Sequence, residues 1–114
     1  MPPRPSSAAR ALRDAAPVFA ALGDETRLGI VARLCERGPQ SIARLTEGSD
    51  VTRQAVTKHL RVLEDAGLVQ SKRDGRERHW AIEPDRLEVA RRCLDVVAAR
   101  WDAAIERLRA IVED

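Results

Sequence analysis

The residues best equipped for chemistry lie in one short run. Thr52, Arg53, Gln54, Thr57, Lys58 and Arg61 all carry hydrogen-bond donors, and Val56, Leu60 and Leu63 recur among them at steps of four and three. On a helix that spacing puts the apolar side chains on one side and the polar and basic ones on the other. An arginine can hold guanine O6 and N7 with two hydrogen bonds, and a glutamine can do the same for adenine N6 and N7. Arg53 and Gln54, near the start of the run, therefore have the chemistry of base readers. Thr52, Thr57, Lys58 and Arg61 suit phosphate or mixed contacts that fix register. A second basic group follows, in which Lys72, Arg73, Arg76 and Arg78 bracket Asp74-Gly75. It reads as a thin cationic finger able to reach phosphates or an adjacent minor groove.

Other chemistries find little support. The chain has no Gly-rich phosphate loop, no G-x-S-x-G and no H-E-x-x-H, and its carboxylates are scattered as caps and helix-surface charges, so no enzyme is expected. His59 lies in the basic run, where orientation or a phosphate contact suits it better than catalysis, and His79 belongs to a strand. Aromatic residues make up 3% of the chain (Phe19, Trp80, Trp101), too few for the stacked platforms that hold single-stranded nucleic acid. Cys35 and Cys93 form no C-x-x-C pair and cannot complete a four-ligand zinc site. Both lie beside apolar seams, so buried structural thiols in a reducing cytoplasm are expected.

These residues need a scaffold, and 114 residues, 44% hydrophobic and 33% charged, supply one compact domain. The longest apolar stretch, Ala15 to Leu22, falls far short of the roughly 20 residues of a membrane span, so no membrane partner is expected. Residues 1–7, Pro- and Ser-rich, read as a loose tail rather than a secretory signal, and residues 8–114 as the folded unit. Net charge is only +2, but residues 52–80 carry seven Lys or Arg against four Asp or Glu, whereas residues 81–114 carry six against eight.

The apolar spacing predicts a helix over 8–21, interrupted or restarted at Pro17, and a second from an Asp24 cap through Leu28, Val31, Leu34 and Cys35 to Gly38. A short third helix covers about 40–47, with Gly48-Ser49-Asp50 as a turn. The fourth runs about 52–66, capped by Thr52 and closed by Gly67. Residues 68–82 form a hairpin turning at Asp74-Gly75. Asp85 and Glu88 pair as a capping box, and a last helix spans about 86–112. Its apolar residues Leu87, Ala90, Leu94, Val97, Trp101, Ile105, Leu108 and Ile111 keep near-heptad spacing. At about 40 Å it outruns the roughly 26 Å diameter of a domain this size, so a second copy is the simplest cover for Leu94, Val97, Trp101, Ile105 and Leu108.

The order thus predicts a mainly α fold with a β-hairpin wing, a winged helix-turn-helix with its helix-turn-helix at about 40–66 and the wing at about 68–82. The runs VTRQAVTKHLRVLEDAGLV (51–69), KRDGRERHWAI (72–82) and ALGDETRLGIVARL (21–34) resemble the ArsR family of winged-helix transcriptional regulators. The resemblance implies a homodimeric repressor or activator, with repression favoured, that binds a palindromic operator in double-stranded DNA. It also implies dimer contacts from the first and last helices. Many members hold metal through cysteines whose matching positions here are Ser41 and Ala43, and others use histidines on the last helix, where residues 80–114 have none. The chain resembles the members without those motifs, and neither metal nor cofactor is expected. Some members join a cysteine of the second helix to one of the last under oxidant or persulfide. Cys35 and Cys93 give such a thiol-switched regulator as an alternative, although the matching second-helix position is Ala32. A winged-helix interaction module that reads no DNA is the remaining alternative, against which the basic middle segment argues.

Overall fold

The computed structural model describes residues 3–4 and 6–113, so Met1, Pro2 and Pro5 of the expected tail lie outside the described residues. Ser6 and Ser7 belong to the first helix. The Ser6 hydroxyl accepts the Ala9 N–H at 3.1 Å and caps α1, Ser7–Leu22. Contrary to the expected interruption, α1 runs through Pro17 unbroken. Ala15, Val18 and Ala21 are buried on one face, and this packing, which includes α5, holds both halves in line despite the lost N–H.

Helix α2, Glu25–Arg37, is capped by Asp24, which accepts the Arg27 N–H at 3.0 Å, and ends at Gly38 with a φ of 78°. Strand β1, Gln40–Ser41, takes the start of what reads as the third helix, because Gln40 and Ser41 pair with Trp80 and His79. Helix α3 is correspondingly short, Ile42–Thr46. Helix α4, Arg53–Asp65, starts on the Thr52 hydroxyl, which accepts the Ala55 N–H at 3.1 Å. It stops in a Schellman turn: Leu68 N–H donates to the Leu63 carbonyl at 2.9 Å and Gly67 N–H to that of Glu64 at 2.9 Å. Gly67 sits there at a φ of 77°, which a side chain rarely tolerates.

Strands β2, Val69–Asp74, and β3, Glu77–Ile82, complete an antiparallel sheet of order β1-β3-β2. Asp74 pairs with Glu77, so the two-residue turn is Gly75-Arg76, one residue later than the Asp74-Gly75 predicted. Gly75 has a φ of 65° and Arg76 does not enter that region, the pattern of a turn that takes glycine at its first central position. Helix α5, Pro84–Glu113, begins before the predicted Asp85 cap. The Glu83 carbonyl accepts the Arg86 N–H at 3.2 Å, and Pro84 fills the first helical position, where no N–H is needed.

One core joins these elements. Val18, Ile30, Val31, Leu34, Leu45, Val56, Leu60, Leu63, Leu68, Val69, Trp80 and Ala90 pack together, and Leu60, Leu63 and Leu68 are fully buried. Helix α5 contributes only Ala90 and Cys93 to the buried set, while Leu94, Val97, Trp101, Leu108, Ile111 and Val112 stay exposed and Ile105 half-buried. Its 30 residues account for much of a molecule 65 Å along its longest axis.

Candidate nucleic-acid interface

The inner face of α4 is sealed by Val56, Leu60 and Leu63. The helix period then turns Thr52, Arg53, Gln54, Lys58 and Arg61 outward, and all five are exposed. Thr57 is half-buried, its hydroxyl donating to the Arg53 carbonyl at 2.8 Å. Arg53 and Gln54 stand on the first turn, the end of a recognition helix that meets base edges.

The wing carries its cations on two faces and a tip. Lys72 lies opposite His79, while Arg73 lies directly opposite Arg78 on the other face. Arg78 also donates to the Ser71 hydroxyl at 2.8 Å, and Arg76 occupies the turn. Two like charges facing each other across strands destabilise a hairpin by about 0.2–1 kcal/mol, a cost that a polyanion would offset. Among the described residues Arg53, Lys58, Arg61, Lys72, Arg73 and Arg76 form no ion pair, so their charge is available.

His59 departs from the expected arrangement. It is half-buried on the flank of α4 that meets α2, with Nδ1 3.3 Å from the Arg27 guanidinium and 3.8 Å from the Asp24 carboxylate. Those partners hold the ring on the flank of α4 that faces α2. The Arg27 N–H donated to Asp24 holds that carboxyl below its ordinary 3.8. The charges of His59 and Arg27 add to the effect, and desolvation opposes it. His79 stands in β3, 3.0 Å from Glu77.

Three arginines serve as internal ties. Arg27 donates through Nε to the Ala21 carbonyl, Arg33 to the carbonyls of Leu45 at 2.6 Å and Glu47 at 3.2 Å, and Arg86 to that of Ala66 at 3.2 Å. Each satisfies carbonyls left open at the end of α1, α3 or α4. Residue spacing gives no sign of such contacts, which arise only when distant elements meet.

The two thiols have opposite environments. Cys93 is buried as expected, whereas Cys35 is exposed, at the edge of the apolar face of α2 and in the helix's last turn. Ser41 caps α3 by accepting the Arg44 N–H at 3.2 Å, and Ala43 is exposed. Among the described residues no three His, Cys, Asp or Glu side chains gather around a possible ion, and no helix is long and apolar enough to cross a membrane.

Residues 22–71 match a helix-turn-helix domain family. The chain is 31% identical over 97 residues to the arsenical resistance operon repressor of Escherichia coli, an alignment covering 85% of this chain and 80% of that one. Among solved structures it superposes on an ArsR-like transcriptional regulator from Rhodococcus sp. RHA1 with a TM-score of 0.70 and 38% identity, covering 88% and 93% of the two chains. It shares the fold of a homodimeric winged helix-turn-helix DNA-binding domain from Mycobacterium bovis, at a TM-score of 0.63 and 24% identity over 87% and 91% of the chains. With its scaffold shared nearly end to end with such a regulator, the chain belongs to the ArsR family of winged-helix transcriptional regulators.

Proposed function

We propose that this protein is a dimeric, sequence-specific repressor that binds a palindromic operator in double-stranded DNA. The observation that carries this reading is α4: its inner side is closed by Val56, Leu60 and Leu63, and its outer side offers unpaired donors from Arg53, Gln54, Lys58 and Arg61. A helix held this firmly presents its donors in a fixed pattern, which base recognition requires. Arg53 and Gln54 read base edges. Thr52, Lys58 and Arg61 fix register on phosphates, Thr57 joining them only if its hydroxyl turns from the Arg53 carbonyl, and Lys72, Arg73, Arg76 and Arg78 extend the footprint along the backbone.

The exposed stripe of α5 supplies the dimer. Leu94, Val97, Trp101 and Leu108, with half-buried Ile105, form an apolar surface that a second copy would cover, joined by α1. A twofold axis along those helices sets two α4 helices on successive major grooves, about 34–36 Å apart, and an inverted repeat is the matching sequence. The E. coli relative's role as an operon repressor supports repression. A protein that works on genomic DNA acts in the cytoplasm, with residues 8–114 as one DNA-binding domain.

Selection of bound fragments from genomic DNA tests the reading and should return an inverted repeat. Arg53→Ala or Gln54→Ala should cost about 1–3 kcal/mol of affinity and relax base preference at one position of each half-site. Lys58→Ala should weaken all sequences alike and lower the salt slope by about 1. Enrichment of no common sequence, or binding unchanged across a salt titration, would overturn the proposal.

A further inference from the structure

We infer that Arg27 is a positioning residue for the DNA-reading helix, fixing the roll of α4 against the dimerisation scaffold and so the operator spacing the protein accepts. The inference rests on the DNA-binding reading above. One guanidinium joins three elements: it stands on the first turn of α2, donates through Nε to the Ala21 carbonyl in the last turn of α1, and brings Nη1 to 3.3 Å from His59 Nδ1 at the middle of α4. Its own backbone N–H is held by Asp24 at 3.0 Å, which seats the base of the side chain.

An arginine in a protein only donates, so the proposed tie requires the tautomer in which His59 Nδ1 accepts from Arg27 and the ring proton sits on Nε2, although the Asp24 carboxylate lies 3.8 Å from the same nitrogen. The guanidinium is planar and its donors point in fixed directions, so two acceptors bound to it are held at a set angle, which a lysine cannot impose. The packing of Val56, Leu60 and Leu63 seats the inner face of α4, and the small roll about the helix axis that side-chain repacking still permits is what a bond to the flank can restrict. A directed bond on the flank, at His59, supplies that constraint. The Ala21 end of the tie lies on α1, which packs along α5, where the proposed twofold axis runs. The roll of each α4 is thereby referenced to the dimer axis, and with it the separation of Arg53 and Gln54 from their counterparts in the second copy.

The test uses the full-length chain on a set of duplexes carrying the selected half-sites one base pair closer, at the selected spacing and one base pair further apart. The parent should prefer one spacing by about tenfold, as a fixed geometry held by a charge-assisted bond would. Arg27→Gln and His59→Leu should each bind the neighbouring spacings within about twofold of the preferred one, while His59→Asn, whose amide oxygen stands where Nδ1 did, should keep the parent's preference. Circular dichroism confirms folding, and if Arg27→Gln unfolds, the two His59 variants decide alone. A DNA-free arm records the 15N shifts of the His59 ring in the unbound chain, where the parent should show the Nε2–H tautomer and Arg27→Gln should lose that bias. A parent ring protonated on Nδ1, or variants that fold and keep the sharp spacing preference, would overturn the inference. A parent that selects no duplex at all defeats the DNA reading instead, and the inference falls with it.

Discussion

Trp101→Glu is the sharpest perturbation of the proposed dimer. Trp101 lies on the outer face of α5 with 67% of its surface exposed, flanked one turn away by exposed Val97 and half-buried Ile105. A tryptophan buries about 150–250 Å² when covered, so two thirds of it is about 100–170 Å² and, at about 25 cal/mol per Å², about 3 kcal/mol. A twofold interface contains the residue twice, which makes about 6 kcal/mol per dimer. If half of that is realised, dissociation still strengthens by roughly a hundredfold, and a buried carboxylate adds its own desolvation cost. Sedimentation velocity over a concentration series measures the shift. The chain has two tryptophans and Trp80 is buried in the core, so the fluorescence lost in the variant isolates Trp101 and should be blue-shifted in the parent at high concentration. The variant should remain folded, because Trp101 lies outside the buried core. A parent chain that sediments as a monomer throughout, or a variant that associates as strongly as the parent, would refute the reading of α5.

Leu60→Ala opens a void beneath the middle of α4, where the side chain is fully buried, and should cost about 2–5 kcal/mol in urea unfolding with an unchanged slope. Gly67→Ala should cost at least about 1 kcal/mol in the same assay, since its φ is 77° and a Cβ there would stand 3.1 Å from Arg86 Nε. Asp24 titrates below 3.8 in the folded chain, so its contribution to stability is complete above that value and is lost as pH falls through the folded pKa. Denaturant midpoints measured from neutral pH into acid should fall less steeply for Asp24→Asn than for the parent.

What the sequence makes legible follows from which forces are local. Helix α4 could be read almost residue by residue, because its apolar period, its Thr52 cap and its Gly67 stop all act within a few residues of chain. The outward set Arg53, Gln54, Lys58 and Arg61 followed from the same period. The two-residue β1 has no period to read, and it exists only because β3 supplies partners some forty residues away. Pro17 carries a local signal to break α1 that tertiary packing overrides. The displaced start of α5 is a contest between two local signals, an acidic cap at Asp85 and a proline one position before it, and the proline prevailed. His59 and Arg27 were illegible for a deeper reason. Each has a charge or a ring that suits a surface contact, and only the meeting of α2 with α4 turns one toward the other.

The arrangement of charge, rather than its total, gives the molecule a direction. A net charge of +2 would attract DNA weakly, yet the excess of cations over 52–80 covers α4 and the wing, while α5 carries six Arg against six Asp or Glu and so has no net charge. Near a polyanion, that distribution would turn the body so that α4 and the wing lead and the charge-balanced α5 trails. Arg27, Arg33 and Arg86 keep their charge but direct their guanidiniums to main-chain carbonyls, where they order helix ends, and the cations turned outward on α4 and β2-β3 are the ones the proposed duplex would meet. A weak overall attraction with a strong local pattern is the balance that sequence discrimination requires, because non-specific affinity rises with total charge while base contacts count only where the reading helix is held in register.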